Sequence, residues 1–275
     1  MYEAAPDRPP PGINPAVPST ARVYDAILGG RNNFKADREA FEVFERRIPQ
    51  VREAAWLNRK ALIRGVEYMV RDAGIDQILD IGCGLPTEQN THQVAQEINP
   101  DTRVVYVDND PMVLSHGRAL LADNRNTTVV TADLRDPAGI LANPEVRAHL
   151  DFDRPIALLI VGMIMQISED EEPDEIIAAL MEPLASGSHL FLTAWPDTGD
   201  PAQRGLSQAC LETLGNGWIR PIDRLQRHFQ GLPMVAPGLE FVSRWYPGEP
   251  GRKVPDFADF EPYERTQMAG IAVKP

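Results

Sequence analysis

Cysteine is almost missing from this chain: Cys83 and Cys210 are the only two in 275 residues, and they lie far apart. That is too few for a disulfide framework or a cysteine-based zinc site, so both thiols are expected to be reduced and no metal is expected. Long hydrophobic runs are missing as well. No stretch approaches the ~18 consecutive apolar residues of a membrane-spanning helix. The opening MYEAAPDRPPPGINP lacks the basic start and apolar stretch of a secretory signal. The expected location is the cytoplasm, with no membrane partner. Positive charge is scarce: 27 Lys and Arg stand against 40 Asp and Glu, giving a formal net charge of −13 and a pI near 4.8. Such a chain repels a phosphate backbone, whose binding depends on Lys and Arg releasing counterions, so nucleic acid is an unfavourable partner. Arg31, Lys35, Arg38, Arg46 and Arg47 form a local basic cluster, which reads as the solvated face of an amphipathic helix.

What is present suits an α/β protein. With 43% hydrophobic residues the chain can bury a full core, and one main domain with an appendage is expected. Residues 1–18 are dense in proline, which donates no backbone hydrogen bond and holds the chain extended, so a flexible tail is expected there. From Ser19, a good N-cap, TARVYDAIL reads as a short helix stopped at Gly29 and Gly30. Phe34, Phe41, Phe44 and Ile48 then form one stripe at helical spacing, ended by Pro49. A third helix carries Ala55, Leu62, Val66, Met69 and Ala73 on one face, with Gly74 as its stop. Residues 19–74 thus read as a helical extension and 75–275 as the main domain.

After Gly74 short apolar runs alternate with helical segments. The runs Gln77 to Ile81, Arg103 to Val107, Thr128 to Ala132, Ile156 to Ile164 and His189 to Ala194 have the Val, Ile and Leu content of strands buried on both faces. Right-handed crossovers through helices near 89–98, 111–122 and 174–184 predict a doubly wound, mostly parallel, Rossmann-like sheet. Glu240 to Trp245 and Gln267 to Lys274 are expected to close one edge in antiparallel fashion, with Pro221 to Phe229 helical before them.

The sharpest chemical signal is ILDIGCGLPTEQNTH, residues 78–92. A strand runs into Gly82 and Gly84 and then into a helix, so bare backbone sits at the carboxyl end of the first strand, where open α/β sheets bind ligands. A dinucleotide fingerprint would need glycine three residues after Gly84 to bring a pyrophosphate onto the helix, and Thr87 stands there after Pro86. The second run ends VVYVDNDP, placing Asp108 at a strand tip where a carboxylate can accept hydrogen bonds from both ribose hydroxyls of an adenosine. Asp110 reads instead as a helix N-cap with Pro111 at the first helical position. The third run ends TADLRDP, so Asp133 and the amide of Leu134 reach the same rim, where they could read an adenine; Asp136 reads as another cap.

DIGCGLPT, VVYVDNDP and ADLRDP at these spacings resemble the glycine loop, ribose acid and adenine-reading segment of class I S-adenosylmethionine-dependent methyltransferases. STARVYDAILGGRNNFKADREA and GLPTEQNTHQVAQ narrow the resemblance to a mainly actinobacterial S-adenosyl methyltransferase family, formerly a domain of unknown function, from about residue 13 to the C-terminus. The resemblance implies S-adenosyl-L-methionine as cofactor, held by Asp80, Gly82, Gly84, Asp108, Asn109, Asp133 and Leu134. Leu85 and Pro86 depart from the third loop glycine of the wider class.

Around the Gly29–Gly30 turn, Tyr24, Asp25, Asn32, Asn33 and Phe34 have the composition of a lid, and Tyr24 or Phe34 could pack on the adenine or on the sulfonium, a cation drawn to an aromatic face. Tyr24 and Asn33 are therefore added to the candidate cofactor residues. Methyl transfer is an in-line displacement at an already activated carbon, so alignment and water exclusion can carry most of it. His92, His116 and the acidic run 168–175, beside Met163 and Gln166, are the candidates for a base, and none is assigned. No Asn/Asp-Pro-Pro-aromatic signature follows the fourth strand and neither cysteine sits at its end, which argues against methylation of DNA bases. A small-molecule acceptor leads; a non-catalytic S-adenosylmethionine sensor and a nicotinamide-dependent oxidoreductase are the alternatives.

Overall fold

Each strand of the central sheet alternates its side chains between two apolar layers, which is why the strands read as unbroken hydrophobic runs. Leu79 and Ile81 of β1 (Gln77–Ile81) enter one layer with Leu158 and Ile160 of β4 (Ala157–Ile160), while Ile78 and Leu159 enter the other. The computed structural model describes residues 12–87, 89–121 and 124–275, so most of the expected proline-rich tail lies outside the described residues. With β2 (Arg103–Asp108), β3 (Thr127–Thr131), β5 (His189–Ala194), β6 (Glu240–Phe241) and β7 (Met268–Val273), the sheet has the order β3-β2-β1-β4-β5-β7-β6. The first five strands of that order are parallel and β7 and β6 form the antiparallel edge. The strand order reverses between β1 and β4, and this switch point is where doubly wound sheets open a crevice.

The connecting helices begin where the capping residues predict. Asp110 caps α5 (Pro111–Leu120) by accepting from the Met112 amide, and Asp136 caps α6 (Pro137–Ala142) by accepting from Gly139. The other crossovers run through α4 (Thr91–Ile98), α7 (Pro144–His149) and α8 (Pro173–Met181). Three helices precede the sheet as the periodicity requires: α1 (Thr20–Ile27), α2 (Lys35–Arg47) and α3 (Val51–Glu67), the last ending in a π-helical turn over Tyr68–Asp72.

Three expectations are corrected. The fourth strand stops at Ile160 and not at Ile164, because Gly162 takes a left-handed φ of 73° and gives its amide to Thr193 Oγ1, and Ile164–Gln166 then close a 3₁₀ turn. The edge strand at Glu240 is two residues long; after Phe241 the chain turns inward and buries Trp245, stacked on Phe191 at 5.3 Å. A fourteen-residue helix, α9 (Pro201–Leu214), was not anticipated, although Asp200 caps it, Pro201 opens it and Gly215 ends it in the left-handed conformation. A short α10 (Ile222–Arg227) follows within the span expected to be helical.

The helical extension and α9 share a third apolar cluster. Val23, Ile27, Phe44, Ile48, Val51 and Ala55 meet Trp195, Leu206, Ala209 and Cys210 there. Its polar side is held by a buried network. Arg22 bonds Asp37 at 2.9 Å and lies 3.5 Å from Asp110, whose carboxylate also accepts from the Ser19 hydroxyl. Asp37 in turn accepts from the amides of Ser19 and Phe34. Through Asp110, α1 and α2 are thus fastened to the N-terminus of α5. Ile13 packs against Leu85, Met112 and Val113, so the chain is already anchored before the first helix.

Candidate active site

A crevice of ≈ 360 Å³ opens at the carboxyl ends of β1, β2 and β4. At the end of β1, Gly82 and Gly84 differ in what they require. A Cβ on Gly82 would meet the Met163 side chain within about 2.2 Å, so this glycine admits Met163 from the loop after β4. Gly84 has a φ of 68° and nothing within 4 Å of its Cβ position, so its bare backbone faces open space in the crevice. Leu85 leaves this loop for the cluster with Met112 and Val113, which accounts for an apolar residue where the wider class has glycine.

Asp108 stands at the tip of β2 with one oxygen accepting from the Gly84 amide and the other from the Asp110 amide, each at 2.9 Å. Two bonds leave further lone pairs on each oxygen, so the carboxylate is fixed and retains acceptor capacity toward the crevice. Burial raises its pKa, and the amide hydrogen bonds oppose that rise. Asp80 is buried more deeply and accepts from Thr91 Oγ1 at 2.7 Å. Desolvation pushes its pKa up to about 6, against the hydrogen bond from Thr91 and the charge of Arg59. Arg59, from α3, lines the same crevice and donates to the Gln89 carbonyl at 2.7 Å.

Of the other candidates, Asn109 and Tyr24 line the crevice. Asn109 donates to Asp133 at 2.8 Å. Asp133 and Leu134 do not line it: Leu134 is buried in the main core, and Asp133 accepts from the Arg135 amide at 2.9 Å. Burial acts to raise the Asp133 pKa, but the Arg135 amide, Asn109 and the Arg135 charge outweigh it and hold it below the usual carboxylate range. Asn33 is also turned away from the crevice. Its amide donates to Asp25 at 2.7 Å and to the Gly30 carbonyl, stitching the turn between α1 and α2. Phe34 likewise packs with Leu85, Met112 and Val113.

Tyr24 is tied to the strand ends by a relay. Its hydroxyl donates to the Ala55 carbonyl and accepts from Asn58, whose carbonyl accepts from Thr193 Oγ1, which accepts from the Gly162 amide. Burial raises the Tyr24 pKa. The candidate bases lie elsewhere or are engaged. His92 pairs with the Tyr106 hydroxyl and burial lowers its pKa, and in the acidic run Glu169 pairs with Arg220 and Arg224, Glu171 with Arg135, and Asp174 with Arg224 and His228. Among the described residues no group of three or more His, Cys, Asp or Glu is placed to hold a metal ion, and no helix is long and apolar enough to cross a membrane.

Arg59, Arg135, Trp195 and Gln267 are crevice residues that the sequence reading did not select. Arg135 stands in ADLRDP, whereas the other three come from α3, from the residue after β5 and from the residue before β7, far from the glycine loop in sequence and with no local motif to mark them.

This architecture is that of the Rossmann-like methyltransferases. Human N-acetylserotonin methyltransferase, solved in complex with S-adenosylmethionine, superposes with a TM-score of 0.50 over 94% of this chain and 60% of its own, at 12% identity, a likeness of fold alone. The family of S-adenosyl methyltransferases matches residues 6–275, and the chain belongs to that family. It is similar to a candidate methyltransferase from Thermobifida fusca YX, with 48% identity, TM-score 0.92 and 98% and 99% of the two chains covered. It is also similar to a DUF574 family protein from Streptomyces avermitilis MA-4680, with 33% identity, TM-score 0.85 and 94% and 98% covered. None of the curated proteins compared with the chain matches it.

Proposed function

We propose that this protein binds S-adenosyl-L-methionine in the crevice and transfers its methyl group to a small-molecule acceptor. The observation that carries the reading is Asp108, held by two backbone amides beside a glycine whose missing side chain leaves the crevice open. When bound, S-adenosylmethionine supplies a methyl carbon activated by its sulfonium leaving group. Asp108 would accept from the ribose hydroxyls, and Asn109, kept in place by Asp133, would border the adenine. Arg59 would hold the amino-acid carboxylate and Asp80 the ammonium, opposite charges that suit the two ends of that moiety. Tyr24 and Trp195 offer aromatic faces to the sulfonium. With the cofactor bound, the acceptor's lone pair would take the methyl carbon, the carbon–sulfur pair would stay on sulfur, and the acceptor's proton would pass to water. The residues of this chain therefore act by alignment and exclusion of solvent, and no general base is assigned. Residues 19–74 serve as the cover and lend Tyr24 and Arg59 to the crevice, and 75–275 supply the rest of the cofactor site. Calorimetry with S-adenosylmethionine and S-adenosylhomocysteine tests the binding, with NAD as the control that should give no heat. Acceptor-dependent release of S-adenosylhomocysteine tests the transfer and separates an enzyme from a sensor.

A further inference from the structure

Beyond Tyr24 and Trp195 the crevice adjoins a second, narrower pocket of ≈ 60 Å³ among α1, α2, α3 and α9. Its walls are apolar: Val23, Ile27, Phe44, Leu206, Cys210 and Leu214. Burial pushes the Cys210 thiol up to about 12, so it serves as neutral wall and not as an anion. No Asp, Glu, Lys, Arg or His is among the described residues that line it. Gln166, Trp195 and Gln267 line both this pocket and the crevice, and so stand where the two meet. All three are more than nine-tenths buried, yet Gln166 Oε1, Gln267 Oε1 and Trp195 Nε1 have no hydrogen-bond partner among the described residues. Buried polar atoms are rarely left so, because the lost hydration is not recovered. Three residues that each carry an unpartnered buried polar atom, two acceptors and one donor among them, therefore line the junction of the crevice and an apolar pocket.

We propose that this pocket is the acceptor subsite, and that it selects a neutral molecule with a short branched aliphatic end and a hydroxyl head. This rests on the methyl-transfer reading of the crevice. A hydroxyl both donates and accepts, so it can give its proton to a glutamine oxygen and receive the Trp195 N–H. A carboxylate only accepts and would face two carbonyl oxygens with no cation in the lining. An ammonium only donates and would face the indole N–H with no anion in the lining. The size limits the apolar end. An apolar cavity of about 150 Å³ admits benzene, so ≈ 60 Å³ suits a branched alkyl group and not a ring.

The test uses 3-methylbutan-1-ol as probe and the indole N–H resonances of the protein's four tryptophans as the readout. The Trp195 signal is identified by its loss in Trp195→Phe. The alcohol is expected to shift that signal saturably and to leave the other three in place, while 3-methylbutanoate binds at least tenfold more weakly. Leu206→Phe, which fills the pocket, should abolish the shift, and Gln267→Leu, which removes one acceptor at similar size, should weaken the alcohol about tenfold. An alcohol that gives no saturable shift, a carboxylate that binds equally, or undiminished binding in a folded Leu206→Phe overturns the proposal. If Leu206→Phe does not fold, unchanged affinity in Gln267→Leu does the same. The alcohol is titrated without cofactor, and wild-type protein is titrated separately with S-adenosylmethionine. Cofactor binding without an alcohol shift overturns the subsite alone. An alcohol shift without cofactor binding overturns the methyl-donor reading, and with it the naming of the pocket as an acceptor site.

Discussion

The two ends of the crevice are built in different ways. The glycine-loop end draws Asp80, Gly82, Gly84, Asp108 and Asn109 from two neighbouring strand tips, and its polar groups are already fixed by backbone amides or by Thr91 and Asp133. The far end, with the pocket it adjoins, draws Tyr24, Gln166, Trp195, Leu206 and Gln267 from five separate stretches of chain, and three of its buried polar atoms have no partner among the described residues. A ligand that never changes can be read by short local motifs at strand ends. A pocket for a variable partner can be assembled from whatever elements the fold brings across the opening.

The comparison is broken most decisively at Asp108. Asp108→Ala should remove two charge-assisted bonds to the ribose, about 3 to 6 kcal/mol in all, which weakens S-adenosylmethionine by about a hundredfold or more. Calorimetry on the folded variant checks this, and near-normal affinity would remove Asp108 from the cofactor site. Next comes the tie that holds both ends in one frame. Arg22→Met leaves Asp37 and Asp110 buried without their cation, and breaking such a pair costs about 3 to 5 kcal/mol. Urea unfolding should record that loss; a stability within about 1 kcal/mol of wild type would show that the extension is not fastened through this network.

A pH titration sharpens the contrast further, because no Asp, Glu or His is among the described residues that line the far pocket. Asp80 has a pKa raised to about 6 by burial, so its carboxylate gains a proton as the pH falls through that value. Its attraction for an ammonium is lost in the same window. Affinity for S-adenosylmethionine should fall about tenfold from pH 7 to pH 5 in wild type and stay flat in Asp80→Asn. The contribution to folding has the opposite sign. A raised acid stabilises the fold most below its unfolded value of 3.8, and that contribution is lost as the pH rises through about 6. An identical profile in Asp80→Asn would assign the dependence to another group.

The smallest effect separates the two glycines. Gly84→Ala meets no atom and only strains a left-handed residue, at a cost of about 1 kcal/mol, whereas Gly82→Ala drives into Met163 and should cost more in thermal melts. Equal losses would mean that Met163 moves freely.

Local chemistry made part of this protein legible. The glycine loop, the acids at strand ends and the Asp-Pro caps all act within a few residues, so the doubly wound order and the acidic rim followed from spacing. The signal for α9 was also local, in Asp200, Pro201 and Gly215, and went unread because its apolar face is interrupted by polar residues. Tertiary structure alone decided the rest. Only packing could turn Asn33 toward Asp25, send Leu134 into the core and bring Arg59 to the glycine loop. Trp195 and Gln267 share a pocket only because β7 lies antiparallel beside β5, a pairing between strands more than seventy residues apart that no short-range pattern encodes.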